Sequence, residues 1–270
     1  MRVRQPAVAG LFYPADEHEL RAALAEYCSV ECGSDARPTP KALIAPHAGY
    51  VYSGPIAGHA YSAAHALAGQ VERVVLLGPA HRVPVDGLAV PTVDAFLTPL
   101  GPVVIDSDAR AVALECAGVV ADDLAHAPEH SLEVQLPFLQ HALGTDVRVL
   151  PLVVGRASTD TVAGVLDALW GGAETLIVVS SDLSHYETYA AAREHDRRTA
   201  RAIVDRALDH IGPYDACGAY PIRGLLAATG AEPLDGHCLD LRNSGDTAGA
   251  RDRVVGYGAF TFDAPATVAA

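Results

Sequence analysis

Two histidines and one hydroxyl-rich acidic cluster stand where an α/β protein does its chemistry, directly after apolar runs. Residues 41–45 lead into Pro46-His47-Ala48-Gly49-Tyr50, and residues 73–77 into Gly78-Pro79-Ala80-His81-Arg82. Residues 174–179 lead into Ser180-Ser181-Asp182-Leu183-Ser184-His185-Tyr186. In open α/β sheets ligands bind outside the carboxyl ends of the strands. If the three runs are neighbouring parallel strands, His47, His81, Asp182 and His185 therefore meet in one crevice. Imidazole is the commonest metal ligand, and a carboxylate beside an imidazole makes a general acid/base pair. Each residue also has a plainer use. A single His after a strand is ordinarily a satisfied polar side chain, and Asp182 can cap the turn after Ser180 and Ser181 by accepting backbone N–H groups. Two histidines at equivalent topological positions strengthen the metal reading. For Asp182 the two readings stand level, and His185 has no such local use.

Cys217 follows Gly212-Pro213-Tyr214-Asp215-Ala216. The pattern predicts a helix here with Asp215 as its cap. A thiol in the first turn would feel the positive end of the helix dipole, which favours the metal-binding thiolate. Judged on this segment alone, a small buried thiol packing as a hydrophobe is the stronger reading. In Glu129-His130-Ser131-Leu132-Glu133, Ser131 fits an N-cap ahead of an amphipathic stretch, with Glu133 in its first turn. His130 and Glu133 are also candidates to orient a ligand imidazole from behind. Cys28 and Cys32 have the spacing of a zinc half-site, but no second Cys/His pair of matching spacing follows. Five cysteines at irregular intervals in 270 residues point to reduced thiols, not a disulfide framework.

The elements that must position these residues are legible in the hydropathy. Strands are expected at 42–45, 74–77, 88–90, 147–154, 176–179 and 254–262. Helices are expected at 17–27, 56–67, 108–116, 131–143, 160–170, 189–208 and 214–228. Their alternation predicts an α/β fold: a single-domain three-layer sandwich over residues 1–270, its mostly parallel or mixed sheet covered by helices on both faces. Residues 33–40 read as a loop and 264–270 as a frayed tail. The arginine- and glutamate-rich stretch 193–206 reads as the solvated face of a long helix. A formal charge of −14 argues against a nucleic-acid backbone as partner. No apolar run is long enough to span a bilayer and no signal peptide is visible, so no membrane association and a cytoplasmic location are expected.

The motifs PAVAGLFYP (6–14), APHAGYVYSGPIAGHAY (45–61), LLGPAHRVP (76–84), EHSLEVQLPFL (129–139), SSDLSHY (180–186), ACGAYPI (216–222) and NSGD with VVGYGAF (243–260) occur in the order found in the Memo-like family, and the chain resembles that family over essentially its whole length. In prokaryotes the family appears as protein B of the AmmeMemoRadiSam system. The resemblance implies a fold similar to class III extradiol, LigB-type dioxygenases. It also implies a metal site of His47, His81 and Cys217, reported with iron or copper. It sets Asp182 and His185, then His130 and Glu133, beside that site, and suggests a functional link to radical-SAM and AMMECR-type proteins. The dioxygenase relatives complete their metal triad with a carboxylate where this family offers Cys217. Some relatives carry histidine where this chain has Tyr220.

Three chemistries follow as expectations. Two neutral imidazoles and a thiolate suit Fe(II), Cu(I) or Zn(II). With Fe(II), the favoured ion, the site would be a dioxygenase-like oxidoreductase acting on a small phenolic ligand. His185, oriented by Asp182, would be the acid/base, with Tyr50 and Tyr186 lining the pocket and Tyr220 hydrogen-bonding the ligand. The alternative is a non-catalytic module that holds a metal or a peptide. The third is a hydrolase using Cys217 as nucleophile with His185 and Asp182.

Overall fold

The computed structural model describes residues 1–29, 39–228 and 234–263. Cys32, most of the loop expected at 33–40 and the tail from 264 lie outside the described residues. In chain order the strands are β1 (Val3–Arg4), β2 (Pro40–Ala45), β3 (Arg73–Pro79), β4 (Leu88–Val90), β5 (Ala95–Thr98), β6 (Gly101–Val104), β7 (Val119–Ala121), β8 (Arg148–Val154), β9 (Thr175–Ser180), β10 (His185–Glu187), β11 (Asp235–Asn243) and β12 (Val254–Asp263). The helices are α1 (Glu17–Tyr27), α2 (Tyr50–Ala64), α3 (Ser107–Leu114), α4 (Asp123–His126), α5 (Leu136–Leu143), α6 (Thr159–Leu169), α7 (Tyr189–Val204) and α8 (Ala219–Ala228).

One large sheet runs β10-β12-β2-β9-β3-β8-β4-β7, with β11 also paired to β12. Its centre, β2-β9-β3-β8, is parallel, while β12 and β4 run antiparallel to their inner neighbours. Successive side chains of a strand point to opposite faces, and both faces here are apolar. Leu43, Val74, Leu76, Leu176 and Val178 pack toward α1, α2 and α5. Ile44, Val75, Leu77, Ile177 and Val179 pack toward α3, α6, α7 and α8. This is the helix-covered mixed sheet of an α/β sandwich. A small sheet, β1-β5-β6, adds to the first face.

Boundaries differ from the sequence expectation where burial or a cap overrides pattern. Helix α2 starts at Tyr50 and runs through Pro55, because Tyr50, Ser53, Gly54 and Ile56 are all buried in one wall. Helix α3 starts earlier than expected, with Asp106 accepting from the N–H groups of Asp108 and Ala109. The stretch expected as a helix from 131 is a 3₁₀ turn, Glu133–Gln135, followed by α5. Ser131 is no cap: its hydroxyl donates to the Pro79 carbonyl at 2.9 Å. Helix α8 begins at Ala219, so Cys217 precedes it instead of occupying its first turn.

Candidate metal centre

Strands β2, β9 and β3 are consecutive parallel neighbours in the sheet. His47, the cluster from Ser180 to Asp182, and His81 therefore emerge side by side at their carboxyl ends. The His47 and His81 rings lie 5.2 Å apart, and Cys217 Sγ stands 3.3 Å from His47 Nε2. Ligand atoms of His47, His81 and Cys217 all fall within 4.8 Å of one another. The expected histidine pair and the thiol are brought together.

The hydrogen-bond network fixes which nitrogen of each ring is free. Ser180 gives its only hydroxyl proton to the Ser131 carbonyl at 2.6 Å and accepts from Gln135 Nε2 at 2.8 Å. It can therefore only accept from His47 Nδ1, 2.9 Å away, leaving the Nε2 lone pair facing Cys217. Glu129 does the same for His81. Its Oε1 accepts from His81 Nδ1 at 3.1 Å and its Oε2 from the His81 backbone N–H at 2.6 Å. Burial works to raise the Glu129 pKa, but the contacts to His81 and the Ser131 N–H outweigh it and bring it down to about 2. The acceptor is thus a full carboxylate, and His81 Nε2 is the free nitrogen. Sequence reasoning missed Glu129, Ser180 and Gln135. Glu129 adjoins His130, and Ser180 opens the cluster after β9, so position was the available signal.

His47 is 2% exposed, and burial followed by the nearness of His81 holds its pKa well below the usual value. A neutral imidazole with an available lone pair is the form that binds a metal. For Cys217 the expectation of an acidified thiol fails. Burial and the charge of Asp182 push its pKa up, against the Asp182 N–H at 3.3 Å from sulfur and the nearby Ser181 hydroxyl. A cation is the group that would favour the thiolate here, and the N–H donor is aimed at the sulfur where that charge would reside. The donor set fits one ion. A 3.3 Å approach of Nε2 to Sγ is the spacing of two ligands on a common ion with bonds of about 2.0–2.3 Å, and His81, the most exposed of the three, offers its ligand atom within 4.8 Å of both. Residues His81, Glu129 and His130 form an overlapping cluster, but both Glu129 oxygens already accept N–H groups.

The other sequence candidates divide. Asp182 is buried beside the centre, with Oδ1 accepting the His47 N–H at 2.7 Å and Oδ2 4.0 Å from His47 Nε2. His130 stacks on His81 at 4.8 Å and packs against Phe12 at 4.9 Å, and burial, then His47, lowers its pKa to about 4. His185 is at the exposed rim, and its Nδ1 donates to the Leu183 carbonyl at 2.8 Å, so Asp182 does not orient it as expected. Tyr186 is exposed, with a left-handed φ of 61°. Tyr50 does not line the site. Its ring is in the core against Phe138, and its hydroxyl donates to the Val134 carbonyl. Glu133 is also displaced from its expected role. It is fully buried and accepts from Arg4 Nη1, the Ala7 and Val8 N–H groups and the Tyr13 hydroxyl at 2.7–2.9 Å, fastening the N-terminal segment under the site. The acid that holds the His81 imidazole is Glu129, four residues earlier.

Cys217 and Tyr220 line a cavity of about 440 Å³ with Pro79, Pro84, Val85 and Val154, which opens past the exposed Asp86–Arg156 pair. Asp215 does not cap α8. It accepts from the Gly212 N–H and from His195 Nε2 at 2.7 Å, while His195 Nδ1 meets Glu187 at 2.8 Å. Both partners of that ring are acceptors. Burial opposes charging it, but the Asp215 and Glu187 contacts prevail and raise its pKa. The resulting imidazolium on α7 ties the loop carrying Cys217 to the strand carrying His185. No helix among the described residues is long and apolar enough to cross a membrane.

The family model described as Memo-like protein matches residues 4–261. Among curated relatives, a MEMO1 family protein of Methanopyrus kandleri is 39% identical over 282 residues, covering 96% of this chain and 98% of its own. MEMO1 family proteins of Aeropyrum pernix and Aquifex aeolicus are each 37% identical, with coverage of 95% of this chain and 98% of theirs.

Proposed function

The chain belongs to the Memo-like family, and from that premise we propose that it holds one metal ion through His47 Nε2, His81 Nε2 and Cys217 Sγ, with Fe(II) favoured over copper or zinc, as a dioxygenase-like oxidoreductase. The observation that carries this reading is the pair of locked tautomers. Ser180 and Glu129 each engage an Nδ1–H, so both remaining lone pairs stand beside one sulfur. When bound, a redox-capable ion supplies electron transfer to dioxygen and a Lewis-acidic seat for an organic ligand. The protein's own part is to orient. Asp182 holds the His47 backbone and directs an N–H at sulfur. The cavity beside Cys217 suits a small phenolic ring against proline and valine, with the Tyr220 hydroxyl at its wall. On this reading His185, exposed at the end of the same strand cluster, is the group that would exchange a proton with solvent. We further place the protein in the cytoplasm, in keeping with the free thiols of Cys28, Cys116, Cys217 and Cys238.

The hydrolase reading with His185 as base is less supported, because the imidazole beside Cys217 is His47. The test is elemental analysis of protein purified without chelator or nickel resin, then anaerobic loading with Fe(II) and exposure to catechols and air. One metal per chain is expected, falling at least about 100-fold in affinity in Cys217→Ala, with dioxygen uptake dependent on the diol. Stoichiometric metal binding with no uptake for any diol would assign the non-catalytic binding module instead. Absence of metal binding would remove the proposal.

A further inference from the structure

Two sequence features take no part in the metal centre: the arginine-rich stretch of α7 and the NSGD segment that ends β11. They meet in space. Arg193 and Arg197, one turn apart on α7, converge with Arg242 and Asn243 of β11 around a cavity of about 60 Å³, walled also by Asp196 and Leu241. Three guanidinium groups around one small cavity run against the chain's net charge of −14.

A solvated helix face would leave these arginines paired with neighbouring carboxylates, and the pairing is incomplete. Arg197 meets Glu194 through Nη1 at 3.1 Å. Arg242 engages Asp240 through Nε and Nη2 and keeps Nη1 without a partner among the described residues. Arg193 makes no hydrogen bond or ion pair among the described residues. Its guanidinium lies over the Tyr189 ring at 5.6 Å, and that ring is fixed by a hydroxyl bond to Asp246 at 2.6 Å. Asn243 is 1% exposed. Its Oδ1 accepts the Gly245 N–H at 2.9 Å, while its buried Nδ2 has no acceptor among the described residues. A buried donor without an acceptor is costly. The lining thus offers several donors, most of them charged. The one acidic wall, Asp196, accepts the Ser184 N–H at 3.0 Å, and burial raises its pKa toward the neutral form.

Size limits the ligand. At about 10–15 Å³ per water-sized occupant, the cavity takes about four to six atoms, the size of a tetrahedral oxyanion and too small for a nucleoside. The planar fork of arginine is matched to such groups. We propose that Arg193, Arg197, Arg242 and Asn243 form a binding site for a phosphate group, either the free ion or the terminal group of a monoester.

The experiment is calorimetric titration of the full chain with inorganic phosphate and, separately, with glycerol phosphate, both against chloride at matched ionic strength. Saturable one-to-one binding of phosphate is expected. Arg193→Ala should weaken it at least about 10-fold, the scale of one lost charge-assisted bond. Arg21→Ala, which removes an exposed arginine paired with Glu17 on α1, should leave it unchanged. At one phosphate concentration the thermal midpoint should rise for wild type and rise less for Arg193→Ala. Because Arg193 makes no hydrogen bond or ion pair among the described residues and lies over the Tyr189 ring, its loss should leave the phosphate-free midpoint in place. Binding of both ligands would assign a monoester-accepting site, and binding of inorganic phosphate alone a free-ion site. No heat beyond the chloride control, or equal binding by Arg193→Ala and wild type, would overturn the proposal. Neither readout depends on metal.

Discussion

The two ends of the central strands treat buried polarity in opposite ways. At the amino ends, Lys41 opens β2 with its ammonium donating to the carbonyls of Trp170, Gly172 and Thr175 at 2.6–2.8 Å. Two strands along, at the start of β3, Arg73 meets Asp106 at 2.7 Å, and Asp106 in turn caps α3. Charge there is answered by opposite charge or by backbone, and the network closes on itself. At the carboxyl ends the network is equally dense, with Glu129, Ser180, Gln135 and Asp182 all engaged, yet it stops one bond short. Two imidazole nitrogens and a sulfur are held firmly and left facing one another. A closed network stabilises the fold, whereas one held rigid around unused lone pairs is arranged for a ligand.

That contrast can be broken from either end. The largest effect is expected from Glu129→Gln, which keeps the shape but replaces the carboxylate behind His81 with an amide. Metal affinity should fall about 10–100-fold, the usual cost of losing the partner behind a ligand imidazole, in competition titrations with a chromophoric chelator. Lys41→Met should leave that affinity within about twofold while lowering unfolding free energy by about 2 kcal/mol, the scale of a hydrogen bond to a charged group, in urea denaturation. A comparable loss of metal binding in Lys41→Met would show that the two ends are not independent.

The smallest effect sharpens the comparison at a third place. His195 has a raised folded pKa, so its contribution is fully present below the unfolded value near about 6.5 and is lost as pH rises through the folded one. Urea midpoints of wild type and His195→Gln should differ at pH 6 by less than about 1 kcal/mol of stability and converge by pH 9. A difference that persists unchanged at pH 9 would show that the two carboxylate bonds do not depend on the ring's charge.

The sequence exposed the strand ends better than the supports behind them. His47 and His81 were legible because each follows a continuous apolar run, and β2 and β3 did prove to flank β9. Cys217 was placed on a helix that begins two residues later, because Asp215 has the look of a cap while its carboxylate serves Gly212 and His195. Glu133 was credited with the role of Glu129 because the two acids share one motif. Which of them reaches back to β3 depends on a tertiary turn that spacing does not encode. The short strands β1, β5, β6, β7 and β10 are not legible in the hydropathy, and neither is the nine-residue β11. Several lie at sheet edges or in the small sheet, where half-buried, mixed residues give no clean alternation.

Strand β12 has a consequence for how the centre is assembled during synthesis. It lies well after Cys217 in the chain, yet it sits between β2 and β10, and Gly256 exchanges backbone hydrogen bonds at 2.8 Å with Leu183 and Ser184 beside Asp182. Until that strand docks, the turn that presents an N–H to the Cys217 sulfur lacks these two bonds and is held from the β2 side and from the Cys217 loop. The surroundings of the sulfur are therefore completed by a segment made after Cys217 itself, and the sulfur reaches its final geometry only once β12 has paired.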